Sequence, residues 1–290
     1  MLTIKAPAKI NWTLSVLDKR ADGYHNIRSL MHCITLCDTL SFSPADTLEL
    51  ITGMELPPEQ NLVFKAARSL QQFTGCTRGA RIVLNKEIPW GAGLGGGSSD
   101  AASALRGLNT LWGLRLSEEE LKMVGGTLGS DVPFFFDGPL ALAEGRGEVL
   151  TPLAIEIPYT LLLVKPPVSV ATAWAYGALS ARRSSFAGRR ELTNKGNSDN
   201  NIQLIYEALK VGDRTRLKAL IRNDFEDEVI GRYPVIGALK GQLLACGAGL
   251  ALMSGSGSTV FGLFENREQA VAASHQFAPY FCRVVETLTS

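Results

Sequence analysis

The sequence predicts an α+β fold in two domains, and three observations carry that reading. Its 290 residues exceed one ordinary core, since domains hold roughly 150 residues. From Leu2 to Ser43 nearly every segment is β-type, in runs separated by turn residues. Past Pro152 and Pro158 the pattern changes to helices set around a few short strands, an α+β layer. The division expected is 1–158 for an N-terminal domain and 159–290 for a C-terminal one.

The elements follow in order. Leu2 to Lys5, Ile10 to Leu17, Ser29 to Leu36 and Thr39 to Ser43 are expected as four strands. Asn61 is a plausible N-cap for a helix to Phe73, in which Leu62, Ala66, Leu70 and Phe73 share a face. Ala80 to Ile88 alternates as a strand, and Ala101 to Trp112 has helical spacing. Ser117-Glu-Glu-Glu120 is a capping box opening a helix to about Leu128. Leu140 to Ala143 and Glu148 to Leu150 resume as strands, and Tyr159 to Val164 reads as a buried strand. Helices are expected over Ala171–Ser180, Asn201–Lys210, Asp213–Val229 and Pro234–Cys246, with a mobile surface loop over Arg182–Asn200. Two strands within Leu250–Phe264, a helix from Arg267 and a strand from Phe281 close the chain.

Composition excludes several classes. With 46% hydrophobic and 20% charged residues, the chain is neither disordered nor fibrous. Twenty-nine basic residues against 28 acidic ones leave a net charge of +1, so no global field draws nucleic acid or anionic membrane as a partner. Five cysteines without a CxxC pair read as free thiols in a reducing compartment. Three histidines form no HExxH motif. Lys5, Lys9 and Asn11 interrupt the N-terminus before a signal-peptide core forms, and glycines and serines fill the uncharged run Gly241–Phe264. A soluble cytoplasmic protein is expected.

The sharpest feature is Pro89-Trp-Gly-Ala-Gly-Leu-Gly-Gly-Gly-Ser-Ser-Asp100, between a strand and a helix. So many glycines cost chain entropy, and they point to a backbone that something must approach closely. At a helix N-terminus that something is an anion, and a phosphate chain is the natural one. No lysine follows in Walker spacing. Gly91, Gly93 and Gly96 match the dinucleotide fingerprint literally, but the acids that follow begin a helix rather than end a strand. A plain tight turn and a phosphate loop of another kind remain beside it. As a surface loop, it should tolerate Gly95→Val or Gly96→Val in the fold while losing its phosphate ligand.

Other residues carry two readings each. Asp131, in Gly129-Ser-Asp-Val-Pro133, either caps the short turn after it or points into a cleft. Lys9 is either a snorkelling cation or a buried functional one, and Asn11 shares its face in a strand. Tyr24 and His25, after Asp22-Gly23, form an exposed-looking pair, although a core tyrosine is equally ordinary. Asp100 reads as the start of the helix after the loop, complementing its dipole, and Glu144 has no assigned role.

Three segments together resemble one superfamily. They are Lys5-Ala-Pro-Ala-Lys-Ile-Asn11 with Gly23-Tyr-His25, the loop Pro89–Ser99, and Met253-Ser-Gly-Ser-Gly-Ser-Thr-Val-Phe261. Their order is similar to that of the galactokinase, homoserine kinase, mevalonate kinase and phosphomevalonate kinase superfamily. The Lys-Ile-Asn and Gly-Tyr-His combination resembles its branch acting on 4-diphosphocytidyl-2-C-methyl-D-erythritol.

The resemblance implies an N-terminal half like the second domain of ribosomal protein S5, a ferredoxin-like C-terminal half, and a site in the cleft between them. It implies ATP as donor to the substrate's 2-hydroxyl, in non-mevalonate isoprenoid biosynthesis, with Mg2+ accompanying the ATP. Pro89, Trp90, Gly91, Ala92, Gly93, Leu94, Gly95, Gly96, Gly97, Ser98 and Ser99 would bind ATP. Lys9 and Asp131 would be catalytic. Asn11, Tyr24, His25 and Tyr176 would bind substrate, with Trp174 an alternative to Tyr176 on the cytosine. Metal ligands are unassigned, Ser99 being the one suggestion. Gly255-Ser-Gly257 would approach the phosphates or brace the loop. A non-catalytic nucleotide- or RNA-binding module with an S5-like fold and a dehydrogenase are the competing expectations.

Overall fold

Residues 1–186 and 197–290 are described in the computed structural model of the chain. Two long strands, β1 (Leu2–Lys19) and β2 (His25–Ser43), pair antiparallel along their whole length. They replace the four short strands expected. Register shifts at Pro7/Lys9, Asn11/Thr13 and Val16/Lys19 absorb the irregular residues, so the ladder bends and continues where the sequence pattern breaks. A third strand, β3 (Leu48–Thr52), was not foreseen, and it runs parallel to β4 (Ala80–Asn85). Between them α1 (Leu62–Thr74) starts at Asn61, whose Oδ1 accepts from Val63 N at 2.9 Å.

Helix α2 (Gly96–Trp112) follows, then α3 (Glu118–Leu128), which opens with the expected Ser117–Glu120 capping box. Strands β5 (Leu140–Glu144) and β6 (Val149–Pro152) complete a sheet of order β3-β4-β2-β5-β6, with β1 on β2. Phe42, Leu70, Leu105, Leu108 and Phe134 are among the residues packing the three helices on that sheet.

The second sheet comprises β7 (Thr160–Lys165), β8 (Leu250–Met253), β9 (Val260–Phe264) and β10 (Phe281–Glu286). Its order β10-β7-β9-β8, all antiparallel, is that of the split βαβ, ferredoxin-like layer. Helices α4 (Thr172–Phe186), α5 (Asn197–Val211), α6 (Arg214–Leu220), α7 (Glu226–Arg232) and α8 (Pro234–Ala245) lie between β7 and β8, and α9 (Arg267–Ser274) lies between β9 and β10. The single helix expected over Asp213–Val229 is two. Asn223 leaves the helix between them to pair with Leu14 of β1. The loop expected over Arg182–Asn200 is helical at both ends, and 187–196 lie outside the described residues.

The two sheets share a core. Ala8, Ile10, Trp12 and Leu30 pack with Tyr159, Leu161, Leu252 and Phe261. Trp12 meets the edges of Tyr159 and Phe261 at 5.4 and 5.7 Å. Its Nε1 donates to His32 Nδ1 at 2.9 Å, leaving His32 Nε2–H for Leu288 O at 2.8 Å. The β1–β2 hairpin is thus the spine against which the second layer is built. Among the described residues, no helix is long and apolar enough to cross a membrane.

Candidate active site

The glycine loop is shaped by alternation. Gly91, Gly93 and Gly95 hold φ of 62, 74 and 69°, left-handed values that glycine adopts without strain, while Ala92 and Leu94 turn inward and are buried. The loop is not the surface feature expected, because backbone packs against it from both sides. Lys9 N donates to Leu94 O at 2.9 Å, Ser254 Oγ to Gly93 O at 3.0 Å and Thr259 N to Ala92 O at 3.2 Å. A Cβ on Gly93 would lie 2.1 Å from Ser254 O, one on Gly95 3.0 Å from Lys9 Cγ, and one on Gly96 2.8 Å from Ile88 Cγ2. A valine at position 95 or 96 therefore strains the fold as well as the loop.

Gly255 and Gly257 line the cavity and brace the loop, a Cβ on Gly255 falling 2.9 Å from Gly93 O. Asn223 holds that turn, its Nδ2 donating to Met253 O and Gly255 O at 2.8 and 2.7 Å.

Helix α2 begins five residues before the expected Ala101, so the loop's last glycines are its first turn. N–H groups of a first turn have no partner within the helix, and here they belong to residues without bulky side chains. Asp100 consequently lies inside the helix, not at its start. It is buried, and its Oδ2 accepts from Lys86 Nζ at 2.7 Å. Lys86 also pairs with buried Asp38, whose Oδ1 accepts from Glu87 N and Ile88 N at 2.6 and 2.8 Å. Burial raises the Asp100 pKa to about 7, with Lys86 opposing and Asp38 adding. This Asp38–Lys86–Asp100 group pins the strand end that feeds the loop. It was not singled out in sequence, although an acid at position 38 of a β-run is its one visible signal.

Lys9 is buried on β1. Its Nζ donates to Asn11 Oδ1 at 2.7 Å and to Gly93 O at 3.2 Å, and stands 3.9 Å from Asp131 Oδ2. Asn11 is oriented in turn, Nδ2 donating to Ser29 Oγ at 2.7 Å, which donates to Thr13 O at 2.7 Å. Burial lowers the Lys9 pKa, and the Asp131 charge works against that. Asp131 does not cap the turn Pro133–Phe136, which has no side-chain cap. Its carboxylate instead faces a cavity of about 860 Å³ and is 37% exposed.

That cavity is lined by Lys9, Asn11, Asp131, Tyr24, His25, Tyr176 and loop residues 89–98, so it collects nearly every residue singled out in sequence. Ser99 is the exception. Its hydroxyl is buried in α2, lines no part of the cavity, and finds no partner among the described residues. Glu144 is likewise elsewhere, paired with Arg28 at 2.9 Å. Among the described residues no group of three or more His, Cys, Asp or Glu forms a metal site.

Tyr24 is exposed, with the Arg146 guanidinium 5.0 Å over its ring. His25 stacks on Tyr176 at 5.3 Å and 15°, and Tyr176 meets the edge of Phe225 at 4.8 Å. Burial pushes the Tyr176 phenol up to about 12, with Asp131 adding to the shift. Trp174 points elsewhere, against Tyr233 and beneath Arg232, which decides for Tyr176 as the aromatic in the cavity.

A glycine cradle, a buried lysine beside a cavity-facing aspartate and a two-layer fold are the parts of a small-molecule kinase. Residues 61–138 match the GHMP kinases N terminal domain and 205–282 the GHMP kinases C terminal domain. A 4-diphosphocytidyl-2-C-methyl-D-erythritol kinase of Thermodesulfovibrio yellowstonii is 49% identical over 289 residues, covering 99% of this chain and 98% of that one. One of Geobacter metallireducens is 46% identical over 277 residues, 94% and 92% of the two chains. A crystal structure of 4-(cytidine 5'-diphospho)-2C-methyl-D-erythritol kinase superposes with a TM-score of 0.83 at 33% identity, covering 100% of both chains. Homoserine kinase from Cytophaga hutchinsonii, at 18% identity and a TM-score of 0.73 over 99% and 94% of the chains, shares the fold. Within the GHMP kinases, the chain belongs to the 4-diphosphocytidyl-2-C-methyl-D-erythritol kinase family. The RNA-module and dehydrogenase expectations are set aside by that membership.

Proposed function

We infer that the protein transfers the γ-phosphoryl group of ATP to the 2-hydroxyl of 4-diphosphocytidyl-2-C-methyl-D-erythritol, releasing ADP, in non-mevalonate isoprenoid biosynthesis. The observation that carries the mechanism is the 3.9 Å separation of Lys9 Nζ and Asp131 Oδ2 at the cavity wall. That gap is too long for a direct hydrogen bond. A substrate hydroxyl seated on the cavity side of the pair, within hydrogen-bond distance of both atoms, donates to Asp131 and accepts from Lys9.

Asp131 takes the hydroxyl proton as the oxygen attacks the γ-phosphorus, and the bridging oxygen leaves with ADP. Lys9 offsets charge on the migrating group. Asn11 positions Lys9. The first turn of α2 and the loop Pro89–Ser98 cradle the phosphates, and the exposed indole of Trp90 offers a stacking face to the adenine. Tyr24, His25 and Tyr176 receive the cytosine. Magnesium accompanies the ATP. When bound there it would neutralise charge on the transferring phosphates.

With the chain divided into domains 1–158 and 159–290, both contribute to the cavity wall, Lys9 and Asp131 from the first and Tyr176 and Gly255 from the second. Five free cysteines suit a cytoplasmic setting. The test is ADP release measured with and without the cytidine substrate, with phosphorus NMR on the product. Release that depends on substrate, with a new monoester resonance at the 2-position, supports the reading. Equal release without substrate overturns it.

A further inference from the structure

His25 is held by a residue that neither its motif nor the mechanism above involves. Ser180 Oγ, on α4, lies 3.0 Å from His25 Nε2 and 2.8 Å from Tyr176 O. A carbonyl oxygen cannot donate, so the hydroxyl's single proton lies toward Tyr176 O. The same hydroxyl can then only accept from His25. The proton shared in that contact belongs to the imidazole, on Nε2, and a neutral ring with Nε2–H carries a lone pair on Nδ1. His25 lines the cavity, and among the described residues Nδ1 makes no hydrogen bond.

We propose that Ser180 is a positioning residue that fixes His25 as the Nε2–H tautomer, so that Nδ1 presents an acceptor to the exocyclic amine of a cytosine. This rests on the cytidine reading above. Burial, and the charges of Lys19 and Arg183, hold the His25 pKa below its ordinary value, which keeps the ring neutral at neutral pH. Stacking on Tyr176 fixes the ring plane, so tautomer and orientation are both set before ligand arrives. An acceptor at that point distinguishes the two common pyrimidines. Cytosine brings an N–H donor to it, whereas uracil brings a second carbonyl oxygen and leaves both acceptors unpaired. The i−4 bond of Ser180 to Tyr176 O is what turns the hydroxyl lone pair toward the imidazole, so a threonine serves as well as a serine.

The experiment has two arms. Long-range proton–nitrogen NMR on the free protein reads the tautomer, with His25→Gln assigning the signal among the three histidines. Calorimetry with cytidine diphosphate and uridine diphosphate reads discrimination. Wild type should show the Nε2–H pattern and prefer the cytidine ligand by about tenfold or more, the worth of one buried hydrogen bond gained against one lost. Ser180→Ala should show mixed tautomers and lose most of that preference, and Ser180→Thr should restore both. A wild-type Nδ1–H pattern, or a Ser180→Ala variant that alters neither readout, overturns the proposal. A Ser180-dependent Nε2–H pattern in a protein that binds neither nucleotide upholds the tautomer assignment and removes the cytidine reading instead.

Discussion

Gly93→Ala concentrates on one atom what holds the loop in place. Gly93 has φ +74°, where a side chain costs roughly 1–2 kcal/mol by contact with its own backbone. The new Cβ would sit 2.1 Å from Ser254 O and 3.0 Å from Gly257 O, both main chain, so the 254–258 turn has to withdraw by more than an ångström. Withdrawal opens the Ser254 Oγ–Gly93 O bond and strains the Thr259 N–Ala92 O bond, each worth about 1 kcal/mol. The sum is about 3–4 kcal/mol, a large share of a typical 5–15 kcal/mol stability. Urea denaturation measures it, and calorimetry with a non-hydrolysable ATP analogue should show binding weakened in the fraction that stays folded. Gly53→Ala is the control, since it meets nothing within 4 Å and its backbone is unstrained. A Gly93→Ala protein as stable as that control would refute the bracing argument.

Other perturbations separate the parts of the site. Tyr24→Ala should weaken cytidine diphosphate by about 1–3 kcal/mol in calorimetry and spare the ATP analogue. Tyr176→Ala should lose ligand and also stability, because its ring packs on Phe225, whereas Trp174→Ala should lower stability alone. Lys86→Met should cost about 3–5 kcal/mol in urea denaturation by stranding two buried carboxylates, and Asp100→Asn far less, since Asp100 Oδ1 has no partner among the described residues to lose. His32, buried between Trp12 and Leu288, has its pKa lowered by burial from 6.5 to about 4. Its neutral form is favoured in the fold, so the stability it contributes is complete above pH 6.5 and is lost as pH falls toward 4, by about 3 kcal/mol. His32→Gln should flatten the unfolding free energy over that window, and an unchanged slope would show that His32 titrates freely.

Much of the site was legible because its residues violate local expectation. Five glycines before a helix, a lysine inside an apolar strand and an aspartate in a helix break each cost something that packing alone does not require. The choice between Tyr176 and Trp174 was not legible, because helical spacing does not say which of two near neighbours faces a cavity. Asp38 and Lys86 were missed because a buried ion pair is made by residues far apart in sequence, here joined through β2, β4 and α2. The first strand of the long hairpin was cut in two because its register shifts between Pro7 and Lys9, where alternation fails while pairing with β2 persists. The bracing of the glycine loop by the 254–258 turn depends on tertiary contact alone, which is why the loop was expected at the surface.

The central claim is that Asp131 accepts the substrate's proton beside Lys9. Turnover of Asp131→Asn, followed as ADP release with saturating ATP and cytidine substrate, tests it most directly. Asparagine keeps the size of the side chain and removes the base, so kcat should fall by roughly 10²-fold or more while the affinity for an ATP analogue is retained. Turnover within a few-fold of wild type, with ATP still bound, would contradict it.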